Sequence, residues 1–100
     1  MTDILLAPKY IERLKTIFKT LCPSVSVLAY GSRIKTNSHD GSDLDLAIIS
    51  EQNINIAKIK TAISDSNIPF LVDILSFNIL PQNFKDEILK QNVVIYQGEK

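Results

Sequence analysis

The chain has 100 residues, of which 45% are hydrophobic and 22% charged, with eleven basic side chains balancing eleven acidic ones. That length predicts one domain over residues 1–100, and the balanced charge argues against a general nucleic-acid or membrane-surface binder. Cys22 stands alone, which excludes an internal disulfide and a cysteine zinc cluster; it reads as a small buried hydrophobe near a helix end.

The stretch from Met1 to Pro8 has neither a basic start nor a long apolar run. No signal peptide or membrane span is expected, and the expected compartment is the cytoplasm. From Lys9 to Leu21 the apolar residues Ile11, Leu14, Ile17, Phe18 and Leu21 fall at helical spacing, with Pro8 suited to the first turn and Pro23 closing the segment. Val25 to Tyr30 reads as a strand ending at Gly31-Ser32, and the polar stretch through Ser42 offers almost nothing to a core. Leu44 to Ile49 is apolar apart from Asp45, as in a central strand covered on both faces. Ile56, Ile59 and Ile63 predict a second amphipathic helix capped by Ser50 or Asn53. Phe70 to Leu75 is a third strand carrying Asp73. Pro81 opens a short helix with Phe84, Ile88 and Leu89 facing inward, and Val93 to Tyr96 forms a last strand. The order predicts an α+β fold: a mixed sheet of about four strands with helices packed mainly on one side.

Asp43 and Asp45 are two apart at the start of an apolar strand, so they project from the same face. Two carboxylates about 6 Å apart repel by roughly 3 kcal/mol at an effective dielectric of about 20. A cation or a shared proton relieves that repulsion. If the strand of Asp73 lies beside that of Asp45, all three carboxylates converge. An oxygen-only cluster without His or Cys suits Mg²⁺, the metal of phosphoryl and nucleotidyl transfer. The competing reading is structural. Asp43 is also an ordinary turn residue after Asp40-Gly41-Ser42, and Asp45 or Asp73 could pair with Arg33 or Lys35. Tyr30-Gly31-Ser32-Arg33 directly after a strand allows a sharp turn and close backbone approach to phosphate, with Arg33 adding charge. Alone, it is equally an ordinary turn.

Gly31-Ser32, ten intervening residues, then Asp43-Leu44-Asp45 resembles the signature of the DNA polymerase β-like nucleotidyltransferase superfamily, with Asp73 standing where its third carboxylate belongs. The segment from Asp73 through Val93-Val94-Ile95-Tyr96 is similar to the stand-alone minimal nucleotidyltransferases, so the likeness spans nearly the whole chain. The resemblance implies that Asp43, Asp45 and Asp73 are the catalytic residues and hold Mg²⁺. It also implies that Gly31, Ser32 and Arg33 bind the phosphates of ATP as co-substrate. The implied reaction is attack of an acceptor hydroxyl on the α-phosphorus with release of pyrophosphate. Many members carry Gly-Ser-Arg-x-Arg-Gly; here Lys35 keeps the charge and Thr36 replaces the glycine. His39, in the same loop, reads as an exposed spacer.

Small members of the superfamily act as antitoxins that transfer AMP to a tyrosine of a HEPN-domain ribonuclease toxin. The resemblance therefore implies such a partner and a hetero-oligomer with it. Two further readings stand beside this one: a transferase acting on a small molecule such as an aminoglycoside, and a module that neutralises a partner by contact alone.

Overall fold

A computed structural model describes residues 8–31, 44–51, 53–69 and 71–98. The first helix, α1 (Pro8–Leu21), forms where the helical spacing predicts it and buries Leu14 and Phe18. Its last turn closes with Cys22 N donating to Phe18 O at 2.8 Å, and Pro23 ends it. Strand β1 (Ser26–Tyr30) follows, then β2 (Leu44–Ile49), α2 (Ile56–Ser64), β3 (Val72–Ser76), a single 3₁₀ turn over Phe77–Ile79, α3 (Gln82–Lys90) and β4 (Val93–Gln97).

The four strands lie in the order β3-β2-β1-β4. β1 runs antiparallel to both β2 and β4, whereas β2 and β3 are parallel and connected through α2. A parallel pair cannot be closed by a hairpin, so α2 serves as the crossover. The expected mixed sheet is therefore present, with β2 in its interior.

Alternation along the strands divides the apolar residues between two faces. Val27 and Ala29, Leu44, Leu46 and Ile48, Ile74 and Ile95 pack with Leu14, Phe18, Ile59 and Ile63 of α1 and α2. The opposite face carries a smaller cluster, Leu28 and Ala47 against Ile88 of α3. Two helices thus share one face and the third takes the other, which is what "mainly on one side" amounts to here.

Two local expectations are corrected. The cap of α2 is Asn55, whose side-chain oxygen accepts from Lys58 N at 3.0 Å, rather than Ser50 or Asn53. Residues 53–55 run on without helical turn, so the first unsatisfied helical N–H groups lie within reach of Asn55 and not of the earlier side chains. In α3 only Ile88 is fully buried: Phe84, one turn earlier on the same face, is 38% exposed but meets Tyr30, whereas Leu89 is 56% exposed and does not face inward. A nine-residue helix on a sheet face presents one narrow stripe, and Leu89 lies about 100° around the axis from Ile88.

Candidate active site

β2 and β3 bring two of the acids together. Asp45 and Asp73 are register partners across the parallel pair, and Tyr30 of β1 is the antiparallel partner of Asp45. Register partners share a face, so Tyr30, Asp45 and Asp73 form one row across three strands, on the side of the sheet that carries α3. The row lies where β1 ends and where β2 and β3 begin.

Gly31 follows Tyr30 with φ of +84°, a left-handed conformation that glycine adopts without strain. A Cβ built there would stand 2.5 Å from Asp45 Oδ2, so the backbone passes directly over the carboxylate. Asp43, Ser32 and Arg33, with Lys35, Thr36 and His39, lie outside the described residues. Their proposed contributions to the row rest on the sequence.

The environment of the acids differs from the one that strand hydrophobicity suggests. Asp73 is exposed, and Asp45 is half-buried. β3 is an edge strand whose outer face bears no helix over Asp73, so the cost of burying a lone carboxylate does not arise there. Proximity of like charges is the feature that needs compensation, since neighbouring strands stand only about 4.8 Å apart.

Tyr30 is the site residue that sequence reasoning passed over. Its ring meets Phe84 of α3 edge-on, with centroids 5.8 Å apart. Burial, then the negative charges of Asp45 and Asp73, push its phenol up to about 12. Both carboxylates therefore act on one point in space, and Tyr30 stays neutral at any physiological pH. Strand alternation puts Tyr30 on the same face as Leu28, but only the β1–β2 register shows that this is the face of Asp45 and that the two are partners.

The residues present fit a divalent cation. Asp45 and Asp73 are register partners on adjacent strands, and the Asp45 carboxylate lies against the Gly31 backbone with no side chain between them. Oxygen donors of this kind select a hard cation. Among the described residues no group of three metal-binding side chains occurs, and Asp43 lies outside them. A cleft of about 460 Å³ opens at the far end of the sheet, beside Cys22, Asn53, Asn55 and Lys58. It includes neither acid, and burial there pushes the Cys22 thiol up, away from the reactive thiolate.

An acidic row thus stands at the strand ends, beside a strand–glycine turn. Residues 12–100 match the family model "Polymerase beta, Nucleotidyltransferase", and the chain belongs to this family of nucleotidyltransferases. Among curated proteins it is similar to "Probable protein adenylyltransferase MntA" of Haemophilus influenzae (strain ATCC 51907 / DSM 11121 / KW20 / Rd). The two are 42% identical over 89 residues, which cover 86% of this chain and 78% of the relative. Among solved structures it shares its fold with one described as "Crystal structure of the toxin-antitoxin with AMP-PNP". The TM-score is 0.73 at 12% sequence identity, over 89% of this chain and 74% of that one. No helix among the described residues is long and apolar enough to cross a membrane.

Proposed function

We propose that the chain is a protein adenylyltransferase antitoxin. It takes ATP with Mg²⁺, transfers AMP to a tyrosine hydroxyl of a HEPN-domain toxin in the cytoplasm, and forms a hetero-oligomer with that partner. The observation that carries the catalytic part is the in-register pairing of Asp45 with Asp73 on adjacent parallel strands, with Gly31 against Asp45. The protein-directed part is supported by the 42% identity to a protein named as an adenylyltransferase and by a fold shared with a toxin–antitoxin structure.

In this reading residues 1–100 act as one catalytic domain. Asp43, Asp45 and Asp73 hold the cation, and Gly31, Ser32 and Arg33 receive the phosphates. When bound, the cation neutralises charge on the triphosphate oxygens. Gly31 lets the backbone come close to the phosphates, where a larger side chain would displace Asp45. Asp73, exposed at the open edge of the sheet, takes the proton of the incoming hydroxyl. The hydroxyl oxygen forms its bond to the α-phosphorus, the bond to pyrophosphate breaks, and the proton passes on to water.

The test is titration of ATP into the purified protein with and without Mg²⁺, followed by transfer of labelled AMP to a co-purified HEPN protein. Metal-dependent binding and label on a toxin tyrosine are expected. Asp45→Asn should lower transfer at least a hundredfold while the fold persists, because a carboxylate is lost and like-charge repulsion is relieved. An Asp45→Asn protein with full transfer activity sinks the site assignment. A wild-type chain that protects against the toxin without labelling it replaces transfer with neutralisation by contact.

A further inference from the structure

On the face of the sheet that bears the acids, α3 directs two apolar side chains of one stripe toward the strands, Ile88 and, one turn earlier, Phe84. The two are treated differently. Ile88 is 2% exposed and packs on Leu28 and Ala47, whereas Phe84 is 38% exposed. Phe84 meets the sheet through Tyr30, with the ring planes 84° apart and the centroids at 5.8 Å. A ring that served only to hold the helix down would be closed off as Ile88 is. Phe84 keeps part of its surface open.

Its position gives that open surface a use. Tyr30 is the register partner of Asp45, so Phe84 stands one aromatic side chain away from that carboxylate. Cα atoms of antiparallel partners are about 5 Å apart, which sets the Phe84 ring on the order of 10 Å from the carboxylate. A nucleotide reaches about as far from a cation on its phosphate to its base. In the reading given above, the cation and phosphates occupy the Asp45 and Gly31 end, and Asp73 receives the proton of the acceptor. Along the row, the direction from Asp45 toward Asp73 is therefore taken by a second carboxylate and the incoming hydroxyl. The direction toward Tyr30 leads to an aromatic surface.

A base stacks on an open aromatic ring whatever hydrogen bonds its edge can make, and a purine covers more of the ring than a pyrimidine does. Tyr30 braces the Phe84 ring from the sheet side, so the ring is held in place before the base arrives. We propose that Phe84, braced by Tyr30, is the nucleobase-binding residue of the site, and that it favours a purine over a pyrimidine nucleoside triphosphate. The inference rests on the ATP-and-cation reading given above and assigns the nucleoside end of that same site.

The test is calorimetry of the full chain with Mg²⁺ and three probes: ATP, UTP, and inorganic tripolyphosphate, which carries phosphates and no base. Wild type should bind ATP at least tenfold more tightly than UTP. Phe84→Leu should bring ATP down to the level of UTP, leave tripolyphosphate within twofold, and keep the circular dichroism of wild type. Phe84→Tyr, which retains a ring, should retain the ATP-over-UTP ratio. Leu89→Gln, turned away from the sheet on the same helix, should change none of the three affinities. Equal binding of ATP and UTP by wild type, or a ratio that survives in Phe84→Leu, overturns the inference. So does a parallel loss of all three probes in Phe84→Leu, which would make the ring a brace for α3 alone. In each of these cases tripolyphosphate still binds wild type and the phosphate site stands. A wild-type chain that binds none of the three probes overturns the ATP-and-cation reading, and this inference with it.

Discussion

At Gly31 the backbone is held at φ of +84°, and a Cβ added there would stand 2.5 Å from Asp45 Oδ2. Gly31→Ala therefore has two effects. The left-handed conformation costs about 1–2 kcal/mol for a residue with a Cβ. The carboxylate, being the movable end of a side chain, swings aside and leaves its place beside Asp73. A fall in thermal midpoint together with at least tenfold weaker metal-dependent ATP binding is the expected outcome, read by calorimetry. Tyr30 reports on the same spot. Its phenol ordinarily titrates near 10.0 and is pushed up to about 12, first by burial and then by Asp45 and Asp73. The folded form thus holds this proton more tightly than the unfolded chain does. The resulting stability is complete below about pH 10 and is lost as pH rises through about 12. In the phenolate absorbance difference between wild type and Tyr30→Phe, Asp45→Asn should move the Tyr30 midpoint part of the way down, since burial remains. An unchanged midpoint would mean that the two side chains do not face each other. The residue types here were legible in advance, because two apolar strands each carry one acid. Tyr30 was not, because a tyrosine ending a strand looks the same whether it faces a core or a carboxylate.

At the scale of elements, the helices and strands follow periodicity closely, and the departures occur where a neighbour decides. Asn55 caps α2 because residues 53–55 precede the first helical turn and Asn55 itself is extended. Its hydrogen bond to Lys58 N is exposed, so Asn55→Ala should cost about 1 kcal/mol and lower the midpoint of urea unfolding without changing the slope. Asn53→Ala, at a position that the sequence also allowed as a cap, should change it by less than about 0.5 kcal/mol. β3 looks from its sequence like a buried strand and is an edge strand with an open face. Hydrophobicity alone cannot separate the two, since exposed Leu71 and Leu75 read the same as buried leucines.

Across the whole molecule, stability rests on the face covered by α1 and α2. Phe18 is fully buried and stacks on Tyr96 at 6.2 Å, and the Tyr96 hydroxyl donates to Pro23 O at 2.9 Å. This joins the end of α1 to the last strand, some 75 residues later in the chain. Phe18→Ala should cost about 3–5 kcal/mol, a large share of the roughly 5–15 kcal/mol available to a domain. Denaturant unfolding at the far-ultraviolet helix signal checks this, and a loss below 1 kcal/mol would mean that the cluster repacks. Among the described residues the opposite face holds only Leu28, Ala47 and Ile88 in its buried cluster, and it carries Asp45 and Asp73. The row of Tyr30, Asp45 and Asp73 therefore occupies the less thoroughly packed side.

By itself the sequence determined the elements, their α+β order, and the spacing from Gly31-Ser32 to Asp43 and Asp45, because periodicity and local residue chemistry act over a few neighbouring positions. Only the tertiary structure decided that β3 lies beside β2 in parallel with Asp73 opposite Asp45, that Tyr30 completes the row, and that Leu71 and Leu75 stay open around it. Strand register and edge position depend on pairing between segments distant in the chain, and no local property of either segment records which partner it will find.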